Sequence, residues 1–205
     1  MLRTIFATVV LALGALAFAP QALAMTFQRL DGSAACRGYP CVLAVGEIDR
    51  KAADDFQALL GREQVPPGAT VIFDSEGGSV LESLALGDAI RDAGLFTAVG
   101  RYHAPSGRFI VGGQCVSACA YAFLGGVQRH VGEHARVGVH QFSSAPEDKA
   151  ALTVADAQHL MGLIAIYLDR MVGKSTVLAL AAATPPASTR WLSSHELRSH
   201  RMVTN

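Results

Sequence analysis

The sequence has no block of like charge; its 17 basic and 17 acidic residues are scattered along the chain. A nucleic-acid surface needs a basic stripe, so that class of partner is not expected. C-x-x-C pairs are also absent. The four cysteines are spaced as Cys36 to Cys41 and Cys115 to Cys119, which argues against a structural zinc site. No Pro/Ser-rich linker and no internal repeat divides the chain, and one domain is expected over 25–205. The nearest approach to a phosphate loop is "VGKST" at 172–176. It has Leu168 where that motif needs its first glycine, and it follows a helix rather than a strand. No ATPase motif is left, and neither a cofactor nor a metal is expected.

What is present begins with a leader. Arg3 precedes an apolar run that breaks at Pro20 and closes on Ala22, Leu23 and Ala24. The run is shorter than the roughly 20 residues a membrane span needs, and its small-residue end reads as a signal-peptide cleavage site after Ala24. The residue directly after the cut is Met25 and not a cysteine, so a lipid anchor is not indicated. Loss of Arg3 leaves 16 basic and 17 acidic residues. Export places the chain in an oxidising compartment, where an even set of cysteines reads as disulfides. Local pairing, Cys36 with Cys41 and Cys115 with Cys119, is the expectation. The crossed connectivities and buried thiols stay open from the sequence alone.

Strand and helix signals alternate. "CVLAVGEI" and "TVIFD" read as buried strands. Between them Ala52, Phe56, Leu59 and Leu60 fall at helical spacing behind Asp49, a candidate N-cap. "SVLESLALGDAIRDAG", "LFTAVGR", "SACAYAFLGG" and "ARVGVHQF" continue as helix, strand, helix and strand. The pattern predicts an α/β domain with a mostly parallel sheet flanked by helices. The segment 153–172 is the clearest helix, with Ala157, Leu160, Met161, Ile164, Leu168, Met171 and Val172 on one face and Thr153 with Asp156 as a capping box. A short helix over 174–183 follows, then "TPP", and the tail reads as turn, helix and a last short strand.

Three stretches resemble chemistry. "DSEGGSV" at 74–80 lies where a strand meets a helix, and glycines there can present outward N–H groups. "GGQCVSAC" leads into Ser117 at a helix start, where the following N–H, that of Ala118, has no helical partner. "VGVHQF" ends a strand at His140, and the carboxyl ends of parallel strands are where ligand groups gather. A fourth stretch, "HVGEH" at 130–134, has the H-x-x-E-H form of a metalloprotease. That form needs a helix, whereas Gly132 interrupts what reads as strand and turn.

Together, "DSEGGSV", "CVSACAYAFLGGVQRHVGEHARVGVHQF" and "RWLSSHELRSHRMV" resemble, in the same order, the signature regions of the Clp protease proteolytic subunit family, of the Clp/crotonase fold. The resemblance covers about 41–203, and the cysteine-flanked serine with an export signal resembles the periplasmic Clp-like branch. It implies repeated βαβ units and a peptidase in which Ser117 is the nucleophile and His140 the general base. Gly78 and Ala118 then supply the oxyanion N–H pair. It also implies a peptide or protein substrate and a homo-oligomer, as rings or stacked trimers, with the 153–172 helix as one contact. An ATPase partner is not expected for an exported chain, because the periplasm lacks ATP.

The chain departs from the family pattern twice. The triad aspartate falls at Thr189, which cannot stabilise an imidazolium by charge, and such a loss costs about 10⁴ in rate. Gly78 and Ser117 are 39 residues apart, about ten more than the family has. The insert, "RYHAPSGRF" at 101–109, is expected to form a hairpin over the site. Two other readings compete: a non-catalytic protein that binds peptides in the Clp-like groove, and a Ser-Lys dyad using Lys149 or Lys174.

Overall fold

The computed structural model describes residues 23–31, 36, 38–143 and 152–204. The leader up to residue 22, and Lys149, lie outside the described residues.

A five-stranded sheet has the order β1-β2-β3-β4-β8, formed by β1 (Thr26–Leu30), β2 (Cys41–Val45), β3 (Thr70–Asp74), β4 (Phe96–Val99) and β8 (Arg129–Val131). Only β1 is antiparallel, against β2; the other pairs are parallel. The strand Cys41–Val45 has four of its five residues buried, as expected of a strand covered on both faces. Val42, Ala44, Val71, Phe73 and Val99 face the main core with the helices, whereas Cys41, Leu43 and Ile72 form a smaller cluster on the other face.

The crossovers are helical. α1 (Ala52–Glu63) buries Phe56 and Leu59, and α2 (Val80–Asp92) buries Leu86 and Ile90. The N-cap of α1 is Lys51, not Asp49: the Asp49 carboxylate instead accepts from Lys51 N–H, so the helix starts two residues later than its cap signal. Ser79 caps α2 by accepting from Glu82 N–H.

A second sheet, β10-β9-β7, was not foreseen as a separate unit. β7 (Gln114–Val116) is parallel to β9 (Arg136–Val139), and β10 (Arg190–Trp191) is antiparallel to β9. The segments ending at Asp74 and His140 therefore lie in different sheets. Ser75, just past β3, joins them: its N–H donates to Gln114 C=O and its C=O accepts from Val116 N–H.

The insert forms an antiparallel hairpin, β5 (Arg101–His103) with β6 (Arg108–Ile110). Its Tyr102 and Phe109 rings, 5.5 Å apart, pack on the Cys41, Leu43 and Ile72 cluster, so the hairpin covers the helix-free face of the large sheet instead of Ser117.

α3 (Ala118–Leu124) is wholly buried. α4 (Val154–Val172) carries the expected capping box of Thr153 and Asp156 and buries Tyr167 as well as the anticipated Ile164 and Leu168. α5 (Thr176–Ala182) and α6 (Ser194–Ser199) complete the helices. The tail differs from expectation. The stretch before α6 is the strand β10, and no strand follows α6 among the described residues; Thr204 instead exchanges hydrogen bonds with the Arg129 backbone. Both cysteine couples form local disulfides, Cys36–Cys41 and Cys115–Cys119.

Candidate functional site

Ser117 stands between β7 and α3 with φ 57° and ψ −123°, a conformation L residues seldom adopt. Holding a serine there costs roughly 1–3 kcal/mol, so the surroundings must impose it. Ser117 occupies the N-cap position yet makes no side-chain cap bond, which leaves its Oγ free for other work. Its N–H donates to Gly138 C=O at 2.9 Å, tying the turn to β9.

The glycine turn after β3 meets this serine. Ser75 Oγ accepts from Gly77 N–H at 3.1 Å and bends the chain back. A Cβ on Gly77 would fall 2.8 Å from Ser117 Cβ and 2.6 Å from Val116 O, so only glycine fits at this approach. The sequence had singled out Gly78; the residue that makes contact is its neighbour. Gly78 forms a parallel bridge to Ile48, made by Ile48 N–H to Gly77 C=O and by Ser79 N–H to Ile48 C=O. In such a bridge the N–H of the central residue points away. Gly78 N–H and Ala118 N–H have no hydrogen-bond partner among the described residues, and Gly78 is exposed.

His140 follows β9 directly and is half-buried. Alternation along β9 buries Val137 and Val139, putting His140 on the opposite face with Gly138 and Arg136. The ring Nδ1 lies 2.7 Å from Gln141 C=O, an acceptor that fixes Nδ1 as the protonated nitrogen and leaves the Nε2 lone pair free. Gln141 is held in turn: its N–H donates to Thr184 C=O and its side chain to Ala182 C=O, at the end of α5. No sequence signal marked this backbone carbonyl as the imidazole's partner.

Arg190 pairs with Val139, so one further step in register sets Thr189 opposite His140 on the same face. The Thr189 methyl packs toward Gly138, beside the Trp191 ring that carries the Arg136 guanidinium at 3.9 Å. Among the described residues no hydrogen bond joins Thr189 to His140 or Ser117 to His140. Catalytic contacts often tighten only with substrate, so the second absence leaves the pair in play. Lys174 donates to Ser199 C=O at 2.6 Å, which occupies one candidate dyad base against α6.

Asp74 closes the rim. Its carboxylate receives Arg101 at 2.7 Å and Gln114 N–H at 3.0 Å, anchoring the hairpin to β7, and the bond holds the Arg101 guanidinium above its usual range. Gln114 also donates to Glu76. "HVGEH" runs along β8 into the following turn, and no cluster of three metal-ligating side chains occurs among the described residues.

No protein-family model and no curated protein matches the chain. Solved structures do. ClpP1 from Listeria monocytogenes superposes with a TM-score of 0.56 at 19% identity, covering 80% of this chain and 88% of that one. A point mutant of the same protein gives 0.54 and 21% over the same shares. The chain therefore has a Clp-protease-like fold, an α/β structure with a mostly parallel sheet flanked by helices.

Proposed function

We propose that this chain is an exported Clp-like serine hydrolase, acting on peptides or proteins as one domain over 25–205, in the manner of the periplasmic Clp-like branch with its repeated βαβ units. The observation that carries the reading is Ser117: a strained serine at a strand-to-helix junction, without a cap bond, packed against the Gly77–Gly78 turn, with Gly78 and Ala118 N–H unpartnered among the described residues.

In this mechanism Ser117 Oγ attacks the substrate carbonyl while His140 Nε2 takes its proton. The oxygen of the tetrahedral intermediate accepts from Gly78 and Ala118 N–H, and His140 then returns the proton to the leaving amine. Each oxyanion donor contributes roughly 3 kcal/mol to the transition state. Water repeats the cycle on the acyl-enzyme. The Gln141 carbonyl orients the imidazole but carries no full charge, and Thr189 adds none, so turnover is slow. The chain works as a homo-oligomer without an ATPase partner.

The purified chain is expected to label with a fluorophosphonate, and Ser117→Ala to abolish labelling while keeping the fold. A folded wild type that does not label refutes the hydrolase. The missing acid opposite His140 favours a second reading, a peptide-binding protein in the same groove. It predicts equal peptide affinity for wild type and Ser117→Ala, with nothing cleaved.

A further inference from the structure

An oxyanion turn has a structural problem of its own. The amides that must receive the substrate oxygen cannot be spent on holding the turn, so Gly78 and Ala118 N–H stay unbonded. Among the described residues Ser117 itself keeps two backbone bonds, its own N–H to Gly138 C=O and Ala120 N–H to its C=O, with Val116 N–H to Ser75 C=O just before it. These have to maintain a φ of 57° at a non-glycine residue. The far end of α3 is pinned by Arg91, which donates to Leu124 and Gly125 C=O. The near end is the part left to relax.

The Cys115–Cys119 bridge sits at that near end, two residues to either side of Ser117, with its Cα atoms 5.2 Å apart. Cys115 is the middle residue of β7, opposite Val137, and Cys119 lies in the first turn of α3. We propose that this disulfide is a clamp that positions Ser117 and the Ala118 amide, so that hydrolysis requires the oxidised chain. The inference rests on the hydrolase reading above.

Two features favour a local clamp over a general staple. The ring it closes is very short, and short rings remove little entropy from the unfolded chain. Both cysteines are also 0% exposed, so small thiols do not reach the bridge in the folded protein. The clamp is set once, when the two thiols give two electrons and two protons to an external disulfide oxidant by thiol–disulfide exchange. Before that the elbow is free to leave the reactive conformation, and the hydrolase stays silent in a reducing compartment.

The test compares the wild type with Cys115→Val/Cys119→Ala, which refills the core volume, and with Cys36→Ala/Cys41→Ala, which removes the other bridge. Three quantities are read: kcat and KM on an activated ester, the fluorophosphonate labelling rate, and hydrogen exchange at the Ser117 amide. The clamp variant is expected to keep its circular dichroism and KM, to lose about 100-fold in kcat and labelling, and to exchange the Ser117 amide about tenfold faster. The Cys36→Ala/Cys41→Ala variant should keep kcat and labelling. A clamp variant with wild-type labelling and wild-type exchange overturns the proposal, as does an equal loss of activity in both variants. If the wild type itself does not label, the hydrolase reading fails separately, and the exchange rates alone decide whether the bridge holds the turn. Should the double variant not fold, Cys119→Ala alone is read by the same measurements.

Discussion

At the scale of single residues, the proposed hydrolase would have to work with a backbone carbonyl where a triad has a carboxylate. Gln141 C=O fixes the tautomer of His140, which is half of what a triad acid does. The other half, stabilising the imidazolium by charge, has no counterpart, and the register sets uncharged Thr189 where a carboxylate could reach the ring. Thr189→Asp is therefore expected to raise kcat by about 10- to 1,000-fold, short of the full 10⁴ because Nδ1–H must first leave Gln141. The acidic limb of the pH–rate profile should move as the new carboxylate favours the protonated ring. Steady-state kinetics on an activated ester measure both, and an unchanged kcat in a folded variant would show that the aspartate does not reach Nδ1. Ser117 could be read from the sequence as a helix-start serine, but its φ could not, because the residues that meet it, Gly77 at its Cβ and Gly138 at its N–H, come from distant parts of the chain.

At the scale of elements, His140 and Thr189 depend on β10 staying paired to β9, and β10 is only two residues long. Glu196 holds it from outside. Its carboxylate receives Arg190 at 2.7 Å and closes the α6 capping box with Ser193, and these contacts, Arg190 first, bring its pKa down to about 2. A folded-state pKa below the unfolded one means the stabilisation is fully present above about 4.5 and is lost as pH falls toward about 2. Hydrogen-exchange protection over 190–199, taken relative to the intrinsic rate at each pH, is expected to fall across that window ahead of the main core, and Glu196→Gln should lower it above about pH 4.5, converge with wild type toward about 2 and so flatten the acid dependence. The longer elements were legible because their signals are local: the Thr153 and Asp156 cap, the periodic face of α4, the apolar runs of β2 and β3. β7 and β10 were not. Strands of two or three residues carry no periodicity, and their pairing is decided by partners dozens of positions away. The two arginines that plug helix and tail carbonyls were equally hidden. Arg91 serves the C-terminal ends of α3 and α4, while Arg129, buried and brought down to about 10 by desolvation, holds the carbonyls of Gly126, Arg201 and Met202.

At the scale of the whole molecule, α4 is longer than the core it lies on. Its buried residues, Ile164, Tyr167, Leu168, Met171 and Val172, all belong to the second half, and the first half has none. Its 19 residues span about 28 Å at 1.5 Å per residue, so the first half extends roughly 15 Å beyond the buried part. That half still carries an apolar face: Leu160 and Met161 are half-buried, and Val154 is 76% exposed. Leu160 and Met161 rest against the edge of the core, but Val154 and Ile166 stay exposed on the same capped helix, and exposed apolar side chains on a projecting helix fit a second copy that would cover them. Sedimentation velocity of the purified protein is expected to give a species well above the 21.5 kDa of one full chain. Val154→Lys with Ile166→Lys should shift it toward monomer while circular dichroism and the melting transition stay close to wild type, because both side chains are exposed in the single chain. A wild type that sediments as a monomer at every concentration would exclude assembly through α4, and Ser117 labelling by that monomer would show that the elbow works without a neighbour.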